Sequence, residues 1–286
     1  MVSINGIKFN DAEFHNGEVI FEKPEKLNDT ENTFTMAFES NKDITALLFA
    51  KKYVDEQYPN AFNILVMRYC PYERMDREIN NQMFSMKYFA KIIADMKFNR
   101  VHILDPHSKI CIEQLVQAGT TVIELNLNKY VQRVVDEFHP DYICYPDKGA
   151  YNKYPKMLSD IKIPYFYGQK TRDLANKGRI VDYELVDAPN LEGKRVLIID
   201  DICCLGGTAY NAAIQMKLAG ASAVAFYISH CENGIFAGKI LHPEPSVPSG
   251  SEVKTLPWAG TYTIDKVYTA DTMKLNNYHE NIKIIL

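Results

Sequence analysis

The sequence predicts an α/β protein made of two units with mostly parallel sheets. Three observations carry this expectation. Short apolar runs alternate with stretches of helical spacing through both halves of the chain, the pattern of strands joined by helical crossovers. The 286 residues are 47% hydrophobic and 24% charged, enough for one large or two ordinary cores. The run Val196–Ile199 is apolar throughout, as a parallel strand covered on both faces should be, and it leads into Asp200 and Asp201. The pattern restarts near Thr120, so the expected division is 1–120 and 121–286.

In chain order, Ile4–Phe9 alternates like a strand, and Asn16-Gly17 between short apolar runs signals a hairpin into Val19-Ile20-Phe21. Phe34–Phe38 is a strand. Asn41–Tyr58 is a helix with Asp43 near its cap and Ile44, Leu47, Leu48 and Tyr53 on its apolar face. Strand Phe62–Met67, helix Phe84–Met96 and strand Val101–Leu104 follow. The second half reads as strand Thr121–Leu125, helix Asn128–Phe138, strand Tyr142–Tyr145, helix Tyr154–Ser159 and the run Tyr165–Tyr167. The strand at 196 is followed by helix Ala209–Ala219, strand Ala223–Ser229, a loop from Cys231 to Gly238, a loop-like Pro/Ser-rich stretch at 242–252, and strands Lys266–Thr269 and Asn281–Leu286.

The formal net charge of −4 argues against a nucleic-acid protein, whose affinity would rest on a basic face. No apolar run reaches bilayer length, so no membrane partner is expected. The six cysteines form no CxxC pair, several lie in apolar runs, and no leader is evident; a reduced, cytoplasmic chain is expected.

The stretch VLIIDDICCLGGT (196–208) holds the chemistry most densely. In open α/β sheets, ligands bind beyond the carboxyl ends of the strands. A Gly-rich turn opening a helix offers unpaired amides and the positive end of its dipole to phosphate. Adjacent carboxylates accept hydrogen bonds from a sugar diol or face hydrated Mg²⁺. Sugar plus phosphate is the resulting expectation. Arg68, Arg74 and Arg77 cluster after another strand, either as phosphate ligands or as a solvated charged loop. His107 follows a third strand beside Asp105, as a ligand or as a packed residue.

Taken together and in order, these motifs resemble those of the ribose-phosphate pyrophosphokinases (PRPP synthetases), over nearly the whole chain. The 196–208 string resembles the PRPP-binding motif of the type I phosphoribosyltransferase fold, which implies two phosphoribosyltransferase-type α/β domains. Phe14–Glu18 (FHNGE) is similar to the family's FSDGE loop, implying that Phe14, Asn16 and Glu18 hold the ATP adenine for a neighbouring subunit in a homo-oligomer. Pro71–Glu78 (PYERMDRE) is similar to GYARQDRK, implying ATP contacts from Arg74, Met75, Asp76 and Arg77. Leu104–Ser108 resembles the DLHA segment, making His107 a metal and ATP-phosphate contact with a catalytic role. Tyr145–Ala150 resembles SPDxGG, making Asp147 a second metal contact. Gly168–Asp173 falls on the KRR segment and implies that Lys170 and Arg172 are catalytic residues on a flexible loop. His230–Gly238 and Thr269–Met273 resemble THGIFSG and TDTIP. The implied cofactor is Mg²⁺.

The resemblance further implies that Asp200 and Asp201 hold the ribose hydroxyls, and that the loop Cys204, Leu205, Gly206, Gly207 and Thr208 holds acceptor phosphate. The implied reaction transfers the β,γ-diphosphate of ATP to an anomeric hydroxyl and releases AMP. Cys204 and Leu205 stand where the family has an acidic residue and Thr. Losing a donor there favours an acceptor that continues beyond its 5′-phosphate. The expected acceptor is ADP-ribose, as in the phage-type ADP-ribose pyrophosphokinase branch that this chain resembles. Ribose 5-phosphate is the alternative, with a phosphoribosyltransferase or a non-catalytic subunit further off.

Overall fold

The computed structural model describes the chain apart from residues 10, 174–178, 243–246, 250–251, 255–260, 271, 274 and 286, and apart from the side chains of 11, 171–173, 179–181, 247–249 and 252–254. It divides into two units, Met1–Asn126 with Thr272–Lys274 and Leu127–Asp271 with Leu275–Leu286.

The first unit contains β1 (Val2–Ile4), β2 (Ile7–Lys8), β3 (Asp11–Glu13), β4 (Val19–Phe21), β5 (Glu31–Met36), α1 (Asn41–Gln57), β6 (Phe62–Val66), α2 (Ser85–Asp95), β7 (Arg100–Leu104), α3 (Lys109–Gln117) and β8 (Val122–Leu125). Its main sheet has the order β2-β1-β5-β6-β7-β8. β5 to β8 are parallel, whereas β1 is antiparallel to both neighbours. The single strand expected over 4–9 is two strands. Asn5 and Gly6 both have positive φ and turn the chain between them, the geometry of a two-residue hairpin. The Asn16-Gly17 hairpin is present as the antiparallel pair β3–β4.

At the start of α1 the Asp43 carboxylate accepts the backbone N–H groups of Glu39 and Ser40, satisfying donors that the first helical turn cannot pair. The core of the unit includes Phe34, Leu47, Leu65, Phe89 and Ile103. α3 is an element the sequence reading missed. Its buried residues, Cys111 and Leu115, are four apart, and Gly119 with φ 99° follows it. β8 corrects the expected division at 120/121: it pairs with β7 from Val122 to Leu125, so its backbone belongs to the first sheet.

The second unit contains α4 (Asn128–Phe138), β9 (Tyr142–Tyr145), α5 (Lys148–Met157), β10 (Tyr165–Asp173), β11 (Arg179–Val186), β12 (Arg195–Cys203), α6 (Gly207–Leu218), β13 (Ala223–Cys231), a 3₁₀ turn at Asn233–Ala237, β14 (Val247–Ser249), β15 (Glu252–Lys254), β16 (Lys266–Ala270) and β17 (Ile282–Ile285). The main sheet has the order β11-β10-β9-β12-β13-β16-β17 and is parallel except for the β10–β11 ribbon. From β9 the chain goes outward through α5 to β10, then returns to β9's other side as β12. That reversal creates a crevice at the carboxyl ends of β9 and β12.

Several elements differ from expectation here, among them β10, which runs on to Asp173, and β11, which was not expected. α5 begins at Lys148 rather than Tyr154, because the Asp147 side chain caps it by accepting the Ala150 N–H at 3.0 Å. Pro155 lies inside this helix. β12 runs on to Cys203 because β13 remains paired with it as far as Cys231. β14 and β15 form a two-stranded antiparallel pair in and beyond the stretch expected to be loop.

Candidate active site

At the β9–β12 crevice the second unit gathers charged groups from three elements. Asp147 follows β9, Asp200 and Asp201 lie in the last part of β12, and Lys170 lies in β10. The Lys170 ammonium is 2.5 Å from the Asp147 carboxylate. Burial acts to raise the Asp147 carboxyl, but the Lys170 contact and the Ala150 and Gly149 N–H groups outweigh it and hold the acid below its ordinary value. Asp200 goes the other way. Burial, with the Asp201 and Asp147 carboxylates alongside, pushes its carboxyl well above the usual range.

Lys153 in α5 stands 3.6 Å from the Asp201 carboxylate, and both side chains are largely buried. Sequence reading missed Lys153. Its one signal is its position six residues after Asp147, about one and a half turns into a helix that was expected to start later. Tyr183 was missed too. Its hydroxyl donates to the Pro146 carbonyl at 2.8 Å and so holds the turn in front of Asp147.

The turn from β12 into α6 follows directly. Cys204 and Leu205 are exposed, Gly206 caps the helix with φ 76° and ψ 14°, and Gly207 and Thr208 open it. Gly206 is required twice over, because its left-handed backbone disfavours a side chain and because a Cβ there would lie 2.2 Å from Ile240 Cδ1. Gly238 is required by a close approach: its Cβ would fall 2.0 Å from the Leu205 carbonyl oxygen. The stretch after β13 thus packs backbone against backbone beneath the loop. The result is a helix N-terminus with unpaired amides beside paired carboxylates, suited to a phosphorylated sugar.

Lys170 and Arg172 were expected on a flexible loop. Both lie in β10, with backbones paired to β11 at Tyr183 and Ile180. The side chain of Arg172 is outside the described residues, as is Asp271 of the Thr269–Met273 segment.

In the first unit, Arg74, Met75 and Arg77 are exposed after β6, while Asp76 is buried. Asp76 therefore points inward rather than presenting itself as an ATP contact. Its carboxylate accepts Arg77 Nε at 2.8 Å and the Ser108 hydroxyl at 2.8 Å. Burial opposes its ionisation, yet Arg77, Ser108 and His107 hold it below the ordinary carboxylate value. His107 is half-buried, and its backbone N–H donates to the Glu73 carboxylate at 3.2 Å. The loop after β6 and the loop after β7 are thus bound together by Asp76 and Glu73. In the β3–β4 hairpin, Phe14, Asn16 and Glu18 are exposed, and the Asn16 amide donates to the Glu18 carboxylate at 2.7 Å.

No protein-family model matches the sequence. Individual proteins do. The chain is 26% identical over 236 residues to the ribose-phosphate pyrophosphokinase of Saccharolobus solfataricus, spanning 80% of this chain and 78% of that one. It is 24% identical over 211 residues to the ribose-phosphate pyrophosphokinase of Sulfolobus acidocaldarius, spanning 72% and 70%. Over most of its length the chain is similar to ribose-phosphate pyrophosphokinases. The fold agrees: the crystal structure of phosphoribosylpyrophosphate synthetase from Mycobacterium smegmatis superposes with a TM-score of 0.73, covering 97% of this chain and 85% of that one at 15% identity. All six cysteines are free thiols, five buried and Cys204 exposed. Among the described residues no helix is long and apolar enough to cross a membrane.

Proposed function

We propose that the protein transfers the β,γ-diphosphate of ATP to the anomeric hydroxyl of ribose 5-phosphate and releases AMP. The observation that carries this reading is the β12–α6 turn, where amides at a helix N-terminus follow two carboxylates in a chain related to ribose-phosphate pyrophosphokinases over most of its length. The anomeric oxygen bonds to the β-phosphorus, the bond from the β-phosphorus to the oxygen bridging to the α-phosphate breaks, and that oxygen leaves with AMP. Asp200 and Asp201 accept from the ribose hydroxyls. The amides of Gly206, Gly207 and Thr208, with the Thr208 hydroxyl, bind the acceptor phosphate. Arg74, Arg77 and His107 bind ATP phosphates, with Phe14, Asn16, Glu18 and Met75 toward the nucleotide. Lys170 and Arg172 offset negative charge on the diphosphate as it transfers.

The donor set of the crevice fits Mg²⁺. Asp147, Asp200 and Asp201 supply oxygen ligands, directly or through water, and the Asp200 carboxyl lies alongside the other two carboxylates. His107 is better suited to phosphate, since its imidazole is a poor match for so hard an ion. When bound, Mg²⁺ neutralises phosphate charge.

One observation favours ADP-ribose as acceptor. Leu205 is 54% exposed at the phosphate turn, an apolar side chain where a terminal phosphate monoester gains nothing. A second phosphate and an adenosine extending past the turn would cover it. The exposed β3–β4 hairpin supports a second copy of this chain as partner, with Phe14 and Ile20 each about half exposed.

The test is incubation with ATP, Mg²⁺ and either ribose 5-phosphate or ADP-ribose, with AMP and product measured by mass. AMP with ribose 5-phosphate supports the main reading, and AMP only with ADP-ribose supports the second. No AMP with either acceptor refutes both.

A further inference from the structure

Beneath the loop after β6 lies a cluster that the proposed reaction does not use. The sulfurs of Cys70 and Cys111 and a carboxylate oxygen of Glu73 all lie within 4.8 Å of one another. All three residues are 0% exposed. We propose that Cys70, Glu73 and Cys111 bind one zinc ion, a structural centre distinct from the phosphate chemistry.

Local geometry supports this. Cys70 and Glu73 are separated by two residues across a turn closed by the Glu73 N–H donating to the Cys70 carbonyl at 3.3 Å. Ligand–x₂–ligand spacing across a tight turn is the usual way a chain presents two groups to zinc. The third ligand, Cys111, comes from the first turn of α3, whose N–H donates to the Ser108 carbonyl. Zinc bonds of about 2.3 Å in a tetrahedron hold their ligand atoms about 3.8 Å apart, so the cluster needs to contract by roughly 1 Å at most. Three protein ligands leave one position for water.

The chemistry of the set is selective. Two thiolates favour zinc over magnesium, which takes oxygen. One carboxylate oxygen of Glu73 accepts the His107 N–H at 3.2 Å, which fixes the carboxyl group beside the two sulfurs. A disulfide between Cys70 and Cys111 would make no use of Glu73. On binding, zinc replaces the two thiol protons, which pass to solvent. The ion would clamp the 70–77 segment to the start of α3, so it would hold in place the two loops that carry Arg74, Arg77 and His107.

The experiment is metal analysis of the full chain, purified reduced and without chelator, followed by cobalt substitution. The expected result is about one zinc per chain and, with Co²⁺, thiolate charge-transfer absorption with intense tetrahedral d–d bands. Glu73→Gln and Cys111→Ser should lower metal content, while Cys204→Ser should leave it unchanged. A folded wild-type protein that holds no zinc and gives no cobalt spectrum overturns the proposal. So does a Cys70–Cys111 disulfide located by peptide mapping of the protein as isolated without reductant, because that removes both thiolates.

Discussion

Gly206→Ala should destabilise the protein by about 2–5 kcal/mol, in two separable parts. The first part is the backbone: a residue with a Cβ at φ 76° costs about 1–2 kcal/mol. The second is steric. The new Cβ would sit 2.2 Å from Ile240 Cδ1 and 2.9 Å from Ile240 Cγ1. Carbon atoms pack at about 3.5–4.0 Å, so the end of Ile240 must retreat by more than about 1 Å. Ile240 is 1% exposed within the core of the second unit and has little room, which puts the overpacking cost at about 1–3 kcal/mol. Ile240→Val deletes the nearer of the two clashing atoms and alone costs about 0.5–1.5 kcal/mol. In the double mutant the 2.2 Å clash is gone and only the 2.9 Å approach of the remaining γ-carbon is left, so the steric part should shrink and leave a coupling of about 1 kcal/mol. Urea unfolding of the four proteins measures this. Strict additivity, or a Gly206→Ala variant within about 0.5 kcal/mol of wild type, would refute the packing described for this turn.

Three other substitutions probe the two sites. Asp76→Asn should be less stable than wild type at neutral pH. Because the Asp76 carboxyl is held below its ordinary value, its contribution is present above that value and is lost as pH falls through the lowered one. The melting temperatures of the two proteins should therefore converge in acid, and a constant gap from pH 7 downward would contradict the assignment. Lys170→Met removes the partner of Asp147 and should cut turnover about 10²–10³-fold with a smaller effect on melting, whereas unchanged turnover removes Lys170 from the reaction. Leu205→Thr restores a donor at an exposed position. A charge-assisted hydrogen bond of about 1.5–3 kcal/mol would raise kcat/KM for ribose 5-phosphate roughly ten- to hundredfold relative to ADP-ribose. An unaltered ratio would show that the loop does not set acceptor choice.

The candidate site was legible where local sequence implies local geometry. The small-residue turn at 206–208 and the carboxylates before it could be placed at a strand-to-helix junction, because chain direction alone puts them there. The inward role of Asp76 was not legible: it depends on Ser108, 32 residues away. Glu73 and Cys111 meet only because β6 and β7 are adjacent parallel strands, so the loop after β6 and the start of α3 after β7 lie at the same end of the sheet. The Lys153–Asp201 contact needs the crossover that lays α5 against β12.

The sequence by itself determined the α/β class, the alternation of most elements and the strand-to-helix turn at 196–208, because periodicity and turn residues act over a few positions. Tertiary structure decided what depends on a distant partner. It assigned β8 to the first sheet through β7, carried β12 to Cys203 through β13, and drew Lys170 into a strand by pairing it with Tyr183. Hydrogen bonds between strands and the burial of charge are settled by whichever segment lies alongside, and no local window of sequence contains that segment.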